Sequence, residues 1–528
     1  MSAPYDAIVI GGGVNGLTAA ACLSRAGRRT LLLERREGIG GLARSAEFAP
    51  GFRSAPLAFD AGWLPSQVVR ALGLEAPELV RPDPTVTVPG GPGEWLALSR
   101  DIARTAEAIR RFSARDAARW PAFCEQVAKH AGFLEVLYVL PAPDIDASGV
   151  GEVLPLLGVA RKLRGLGRRD MVELLRVVPM AVQKLLDDWF ECAPLKAAVA
   201  AGAIAGLRQG PRSGGTAFGL LHQQAGLAPG AVRGAGYWKA APDALSDAVA
   251  AAARKSGVEV RAGADVVRIL AKEDRVCGVA LASGEELAAA TVLSSADPAR
   301  TLLGLVDPVW LDPEFLLAVR NIKFRGSSAL ASYALEAQPE FTGLGNTPAA
   351  LSGLLSLTGT PDELERAADA AKYGRISARP HVEVQLQSLR WPALAPAGKH
   401  VLVARAQWAP YALRDGGWDA ARRSELGDRI TALIAERAPG FAALIRHREI
   451  LTPADLEQRY GCTEGAASQG EMTLDQILFM RPLPGASRYA TPLEGLYLCG
   501  AGSHPGPGIA GAPGWLAASQ VLAHRSRA

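Results

Sequence analysis

The sequence predicts an α/β fold with a Rossmann-like unit at its start, and three observations predict it. An apolar run at residues 5–10 (YDAIVI) passes into Gly11-Gly12-Gly13-Val14-Asn15-Gly16, an Ala- and Leu-rich stretch follows at 17–26, and a second apolar run at 30–33 ends on Glu34. Short β-patterned runs lie at 258–261, 264–270, 276–282 and 291–294, behind an Ala-rich helical stretch at 240–256. A last apolar run at 495–499 opens into a glycine-dense loop and a closing helix at 512–523. Strands buried on both faces read as continuous apolar runs, and strands alternating with helical stretches read as parallel βαβ units.

The first loop has G-x-G-x-x-G spacing at Gly11, Gly13 and Gly16. Gly11 permits the tight turn, Gly13 lets the backbone approach a pyrophosphate, and Gly16 lets the helix pack closely on the strand. Val14 and Asn15 lie where a helix start offers free N–H groups and the positive end of its dipole to phosphates. Gly27 closes that helix. Glu34 is placed to accept hydrogen bonds from an adenosine ribose, and its charge repels a 2′-phosphate. Strand, loop, helix, second strand and acid in register predict a dinucleotide site.

Composition excludes several other classes. Hydrophobic residues make up 49% and charged residues 21% of 528, which is ordinary for a folded chain. The net charge of +4 is too small for this size to predict a nucleic-acid partner. Cysteines at 22, 124, 192, 277, 462 and 499 form no C-x-x-C, as expected of reduced thiols in a cytoplasmic protein. The seven histidines show no ligand spacing, so no metal site is expected. No secretory signal precedes Tyr5. The apolar run at 197–207 is too short to span a bilayer, and 495–523, although free of Asp, Glu, Lys and Arg, is broken by glycine and proline. Residues 161–169 (RKLRGLGRR) gather five cations behind the apolar 153–160. They read either as a solvated helix end or as a peripheral contact with an anionic membrane surface.

The segment YDAIVIGGGVNGLTAAACLSRAGRRTLLLERREGIGGLARS resembles the N-terminus of FAD-dependent amine oxidases and carotenoid desaturases. That resemblance implies FAD, with Arg35 beside the ribose acid and Gly40, Gly41 and Arg44 near the pyrophosphate and ribityl chain. DQILFMRPLPGASRYATPLEGLYLCGAGSHPGPGIAGAPG, at 475–514, is similar to the subfamily of pyridine nucleotide-disulphide oxidoreductase domain-containing protein 2, which groups with bacterial phytoene-desaturase-like proteins. Residues 395–400 (APAGKH) match a pattern of that subfamily. The implied architecture is a discontinuous Rossmann-like FAD-binding domain (1–75 with 232–300 and 478–528) and a mixed α+β substrate domain (76–231 with 301–477). Val266 is then expected to hold the adenine by backbone contact. Gly500 and Ala501, with Gly508, Ile509 and Ala510, are expected to lie against the flavin ring and offer backbone N–H groups to its pyrimidine edge.

Two segments depart from the family. Ala240-Ala241-Pro242-Asp243 stands for Gly-Gly-Met-Gly, and Gln387-Ser388-Leu389-Arg390-Trp391-Pro392 stands for Pro-Ser-x-x-Asp-Pro. Both fall near the expected substrate chamber, so the flavin expectation stands and a carotenoid substrate does not follow. In the inserted segments, 103–112, 118–140, 172–189, 362–373 and 418–438 read as helices, and 382–389 and 400–408 as strands.

Among candidate chemistry residues, His504 lies in the expected flavin loop, either shaping it or transferring a proton. His222 reads as a buried helix histidine. Trp238, Trp391, Trp408 and Tyr411 are candidates for an aromatic chamber. No G-x-S-x-G elbow appears, which suits a protein whose cofactor carries the hard chemistry. Gly149-Val150-Gly151 and Gly234-Ala235-Gly236 lack a third glycine, so no nicotinamide pocket is expected. FAD is expected to bind non-covalently, although Cys499 and His504 lie close in sequence to the loop. The expected activity is FAD-dependent removal of hydride or two hydrogens from a small organic, apolar substrate, of desaturase or isomerase type. The alternatives are a flavin amine or amino-acid oxidase and a flavin-bearing interaction protein without turnover.

Overall fold

The computed structural model describes residues 5–142, 150–234, 236–345 and 347–525, with the side chains of 150–156, 348, 524 and 525 outside that description. A five-stranded parallel sheet sits at its centre, in the order Leu496–Leu498, Val292–Ser294, Ala7–Ile10, Thr30–Leu33, Glu259–Arg261. Three distant stretches of chain therefore meet in one sheet.

Strand alternation sends neighbouring residues to opposite faces. Ala7, Val9 and Leu32 pack with the helices Val14–Arg25, Ala244–Lys255 and Ala512–Arg525. Ile8, Ile10, Leu31 and Leu33 pack against a three-stranded antiparallel sheet, Val266–Lys272, Arg275–Leu281 and Glu286–Ala288. Both faces are covered, which is why the sequence of these strands is apolar without interruption. The parallel sheet, the helices on one side and the small sheet on the other form the expected Rossmann-like α/β core.

A seven-stranded mixed sheet lies apart from it, in the order Ile445–Leu451, Ser328–Leu335, His400–Gln407, His381–Leu386, Leu354–Ser356, Val86–Gly91, Glu94–Leu98. Helices between Ile102 and Gln224 gather on one side, with Leu195, Val199 and Leu221 in the same core as Val86 and Val88. The helix Ala420–Ala435 buries Leu426, Ile430 and Ile434 against the other side, among Ala329, Val384 and Leu402.

Two expected elements are corrected. The single helix expected at 172–189 is two helices, Arg168–Val177 and Val182–Trp189. Pro179 lies between them and lacks the N–H that a continuous helix needs. The strand expected at 382–389 stops at Leu386 and turns into the short helix Gln387–Arg390. Gln387 there exchanges two hydrogen bonds with the backbone of Ala55, at 3.0 and 2.8 Å.

Candidate functional site

Two adjoining cavities share Val14, Asn15, Leu42, Ala43 and Ala501 in their walls. The first, about 330 Å³, lies over the C-terminal ends of the parallel strands. The crevice beyond those strand ends is where open parallel sheets bind ligands. Gly11, Gly13, Val14 and Asn15, then Glu34 and Arg35, Gly40 and Gly41, and Val266 all line it.

The glycines of this cavity divide by physical role. Gly11 has φ +97°, and a Cβ there would lie 2.3 Å from Ser295 Oγ. A Cβ at Gly16 would lie 2.1 Å from the carbonyl oxygen of Gly11, so Gly16 is needed for helix–strand contact. Gly13 is different. Its backbone is extended, and a Cβ there would meet nothing closer than Gly41 Cα at 3.7 Å. The protein itself does not require a glycine at 13; the open space faces the cavity. The helix Val14–Arg25 has no side-chain N-cap and no acid in its first turn, so its N-terminal N–H groups are left for an anion. Together these features fit a dinucleotide pyrophosphate.

Glu34, buried at 7% exposure, accepts from the N–H of Gly12 at 2.7 Å through Oε2 and from the N–H of Arg36 at 3.0 Å through Oε1. The acid thus also shapes the loop it was expected to serve. Arg44 donates to the carbonyl oxygen of Ile39 at 2.8 Å and lines neither cavity. Arg36 takes a place there that the sequence did not signal, donating to Gly41 O at 2.7 Å while its guanidinium lies over the Tyr460 ring. Gly500 packs under Ser295, where a Cβ would fall 2.4 Å from the carbonyl oxygen, and also lines neither cavity.

The second cavity, about 590 Å³, runs from this region to the seven-stranded sheet. Gly506–Ala510 forms part of its wall, clamped by Trp63: the Trp63 N–H donates to Gly508 O at 2.8 Å, and the Ala510 N–H donates to Trp63 O at 2.7 Å. The expectation for Ala510 is therefore corrected, since its N–H is already spent on Trp63. The N–H groups of Gly508 and Ile509 have no acceptor among the described residues. Asn15 Oδ1 accepts from the Gly511 N–H at 3.1 Å, joining the first glycine loop to the last.

His504 is 1% exposed and lines neither cavity; its Nε2 donates to the carbonyl oxygens of Leu137 and Leu140, both at 3.1 Å. Burial pushes its pKa down to about 4. It is a neutral staple at the end of the helix Ala114–Tyr138, turned away from the cavities. His222 is the histidine on the cavity wall. It accepts from Tyr138 Oη at 2.8 Å through Nδ1 and donates from Nε2 to Pro507 O at 2.9 Å, with its pKa also held down to about 4 by burial. Cys499 is fully buried and lines neither cavity, and burial raises its thiol pKa.

Of the aromatic candidates, Trp238 and Trp391 line the larger cavity together with Phe59, Trp63 and Tyr237. Trp408 is core, donating to Leu207 O at 2.8 Å, and Tyr411 bonds to Glu457 away from the cavity. Arg233, Arg390 and Arg405 also line the cavity. Arg390 stands in the departing segment 387–392 that the sequence places near the chamber. Arg233 carried no signal, and the hint for Arg405 was charge at alternate positions of two strands, Glu383 and Arg405. Arg481 is buried behind the loop and donates to the carbonyl oxygens of Ser468, Gly470, Gln476 and Ala501, and no carboxylate among the described residues pairs with it. Burial lowers its pKa to about 9.

The family of NAD(P)-binding Rossmann-like domains matches residues 9–71. The chain is 35% identical to pyridine nucleotide-disulfide oxidoreductase domain-containing protein 2 of Rattus norvegicus, over 98% of this chain and 93% of the relative. It is 26% identical to hydroxyneurosporene desaturase of Rubrivivax gelatinosus, over 98% of this chain and 94% of the relative. Among solved structures, an oxidoreductase from Methanosarcina mazei shares the fold with a TM-score of 0.59 at 17% identity, covering 98% of this chain and 99% of that one.

Proposed function

The chain belongs to the family of pyridine nucleotide-disulfide oxidoreductase domain-containing protein 2, an oxidoreductase family, and on that premise we propose that it binds FAD and dehydrogenates a compact, largely apolar organic molecule. The carrying observation is the pair of joined cavities. One has the glycine loop, the uncapped helix start and Glu34; the other has a largely apolar wall closed by the C-terminal glycine loop. Bound FAD supplies the acceptor for a hydride, or for two hydrogens, from the substrate.

The chain's own residues do the rest. The loop Gly11–Gly16 would hold the pyrophosphate on backbone N–H groups, and Glu34 would accept from the ribose hydroxyls. The unspent N–H groups of Gly508 and Ile509 would be available to the ring. His222 and Tyr138 hold Pro507 and so fix the loop's distance from the helical insertion. The buried Arg481 adds a positive charge behind Ala501, which favours an electron-rich ring over an oxidised one. Phe59, Trp63 and Trp238 would give the substrate an apolar surround. The cavity of about 590 Å³ would have to take the ring as well as the substrate, which supports a substrate more compact than a long polyene. The desaturase name of the Rubrivivax gelatinosus relative supports the removal of two hydrogens. We divide the chain accordingly into the FAD domain (1–75, 232–300, 478–528) and the substrate domain (76–231, 301–477).

We also propose a peripheral contact with anionic lipid through the helices Val150–Gly165 and Arg168–Val177. No helix among the described residues is long and apolar enough to cross a membrane. Leu157, Val172 and Leu175 are nevertheless exposed at 60%, 55% and 63%, beside the cations of 161–169. The apolar residues 153–156 of the sequence reading lie outside the described side chains.

The test is anaerobic. FAD-loaded protein is mixed with a panel of small unsaturated hydrocarbons, apolar acids and primary amines, and flavin absorbance is followed. Bleaching by hydrocarbons or acids is expected. Bleaching by amines alone transfers the assignment to an amine oxidase, and no bleaching by any class favours an interaction protein.

A further inference from the structure

Glu383 stands on the interior strand His381–Leu386, 1% exposed, directly across from Arg405 in the register with His400–Gln407. Arg405 and Arg233 both form ion pairs with its carboxylate, and His381 Nε2 lies 3.4 Å from it. The two guanidinium groups hold the Glu383 carboxyl well below the usual range against the opposing effect of burial. One guanidinium would balance one carboxylate; here two share it. A buried positive charge without a counter-ion is expensive, so the second cation calls for an explanation.

Both arginines line the larger cavity. The Arg233 side chain is only 6% exposed, and Glu383 is its sole polar partner among the described residues. Beyond Glu383, Arg405 has only the face of Phe59, at 4.7 Å, among the described residues. Each guanidinium carries five N–H donors. Most of theirs are unspent at the wall of a largely apolar cavity. Arg390 and Asp60 add one further charge of each sign to the same wall, so the surplus remains positive. Cations are disfavoured here for a second reason. One face each of Phe59 and Tyr237 already carries a cation, Arg405 and Arg390, at 4.7 and 4.8 Å, which would repel an ammonium there.

We propose that Arg233 and Arg405 are the seat of a carboxylate carried by the substrate. The chamber then takes an apolar molecule bearing one acid group. Its oxygens sit on the two planar forks, which match a carboxylate better than a point charge does. Its body extends past Phe59 and Trp238 toward Gly506–Ala510. This assignment rests on the dehydrogenation reading of the same cavity and names the class of substrate for it.

Calorimetric titration of the FAD-loaded protein with octanoate, octanol and octylamine tests the seat without any redox step, so its failure is distinct from a failure to reduce flavin. Saturable binding of octanoate is expected, at least about tenfold tighter than octanol or octylamine, the scale of charge-assisted hydrogen bonds. Arg405→Gln leaves Glu383 paired with Arg233; it should weaken octanoate by about tenfold and leave octanol within about twofold. Arg405→Lys keeps the charge without the fork and should fall between them, and it serves alone if the glutamine variant does not fold. No saturable octanoate binding, equal affinity for the three probes, or an equal loss of octanoate and octanol in the variants would each overturn the proposal.

Discussion

Trp63 and Ile509 lie side by side as a two-residue parallel bridge, sealed by hydrogen bonds of 2.8 and 2.7 Å from the Trp63 N–H to Gly508 and from the Ala510 N–H to Trp63. A residue near the start of the chain thereby sets the position of a loop near its end. The same loop is fixed from the first glycine turn by Asn15 and from the helical insertion by His222.

Glu34→Ala should weaken FAD by roughly 1–3 kcal/mol, the value of hydrogen bonds to a charged group. The variant also frees the N–H groups of Gly12 and Arg36, so Glu34→Gln, which retains an acceptor for one of them, should lose less. Fluorescence titration with FAD measures both. Affinity unchanged in Glu34→Ala removes the acid from the ribose.

Gly13→Ala and Gly16→Ala should separate binding from folding. At 13 the new methyl makes only an ordinary contact with Gly41 Cα, so the cofactor-free protein should keep its unfolding free energy within about 1 kcal/mol while FAD affinity drops. At 16 the methyl meets the carbonyl oxygen of Gly11, and the protein itself should lose roughly 1–3 kcal/mol. Denaturant unfolding with and without FAD distinguishes them. Equal FAD affinity in Gly13→Ala would show that the loop does not face the pyrophosphate.

The two glycine loops were legible in the sequence because their signals are local. The strand Thr30–Leu33 and its acid fall where the pattern puts them, and Gly11, Gly13 and Val266 meet at one cavity. The substrate wall was legible only in part, at Trp238, Trp391 and the segment 387–392. Arg233, Glu383 and Arg405 come from three segments; the strand register sets Glu383 across from Arg405, and Arg233 reaches them from the loop before Tyr237–Trp238. His504 and Ala510 looked free in sequence because their partners, Leu137 and Trp63, are more than three hundred residues away.

Acid should destabilise the protein through its buried histidines. His504 and His222 have folded pKa values of about 4, below the ordinary value of 6.5, so the unfolded chain binds more protons between those limits. Stability is then full above pH 6.5 and falls as pH drops toward 4, by up to roughly 1.4 kcal/mol per pH unit for each histidine. His504→Gln should flatten that slope by the share of one histidine. An unchanged slope in urea unfolding across pH 4.5–7 would show that His504 is not neutral in the folded state.

Vesicle flotation tests the lipid contact. Binding to anionic vesicles is expected, and replacing Arg161, Lys162, Arg164, Arg168 and Arg169 by glutamine should abolish it, at about 1 kcal/mol per basic residue near the surface. Flotation that is absent, or indifferent to the five substitutions, leaves these helices as a solvated face.

The central claim is that one flavin, and no nicotinamide, serves the two joined cavities. The decisive measurement is an anaerobic absorbance titration of the FAD-loaded protein with NADH and NADPH. The account predicts a flavin spectrum that neither reductant changes rapidly, with FAD released intact by acid. Rapid, stoichiometric bleaching by either nucleotide, or a protein that retains no FAD at all, would contradict it.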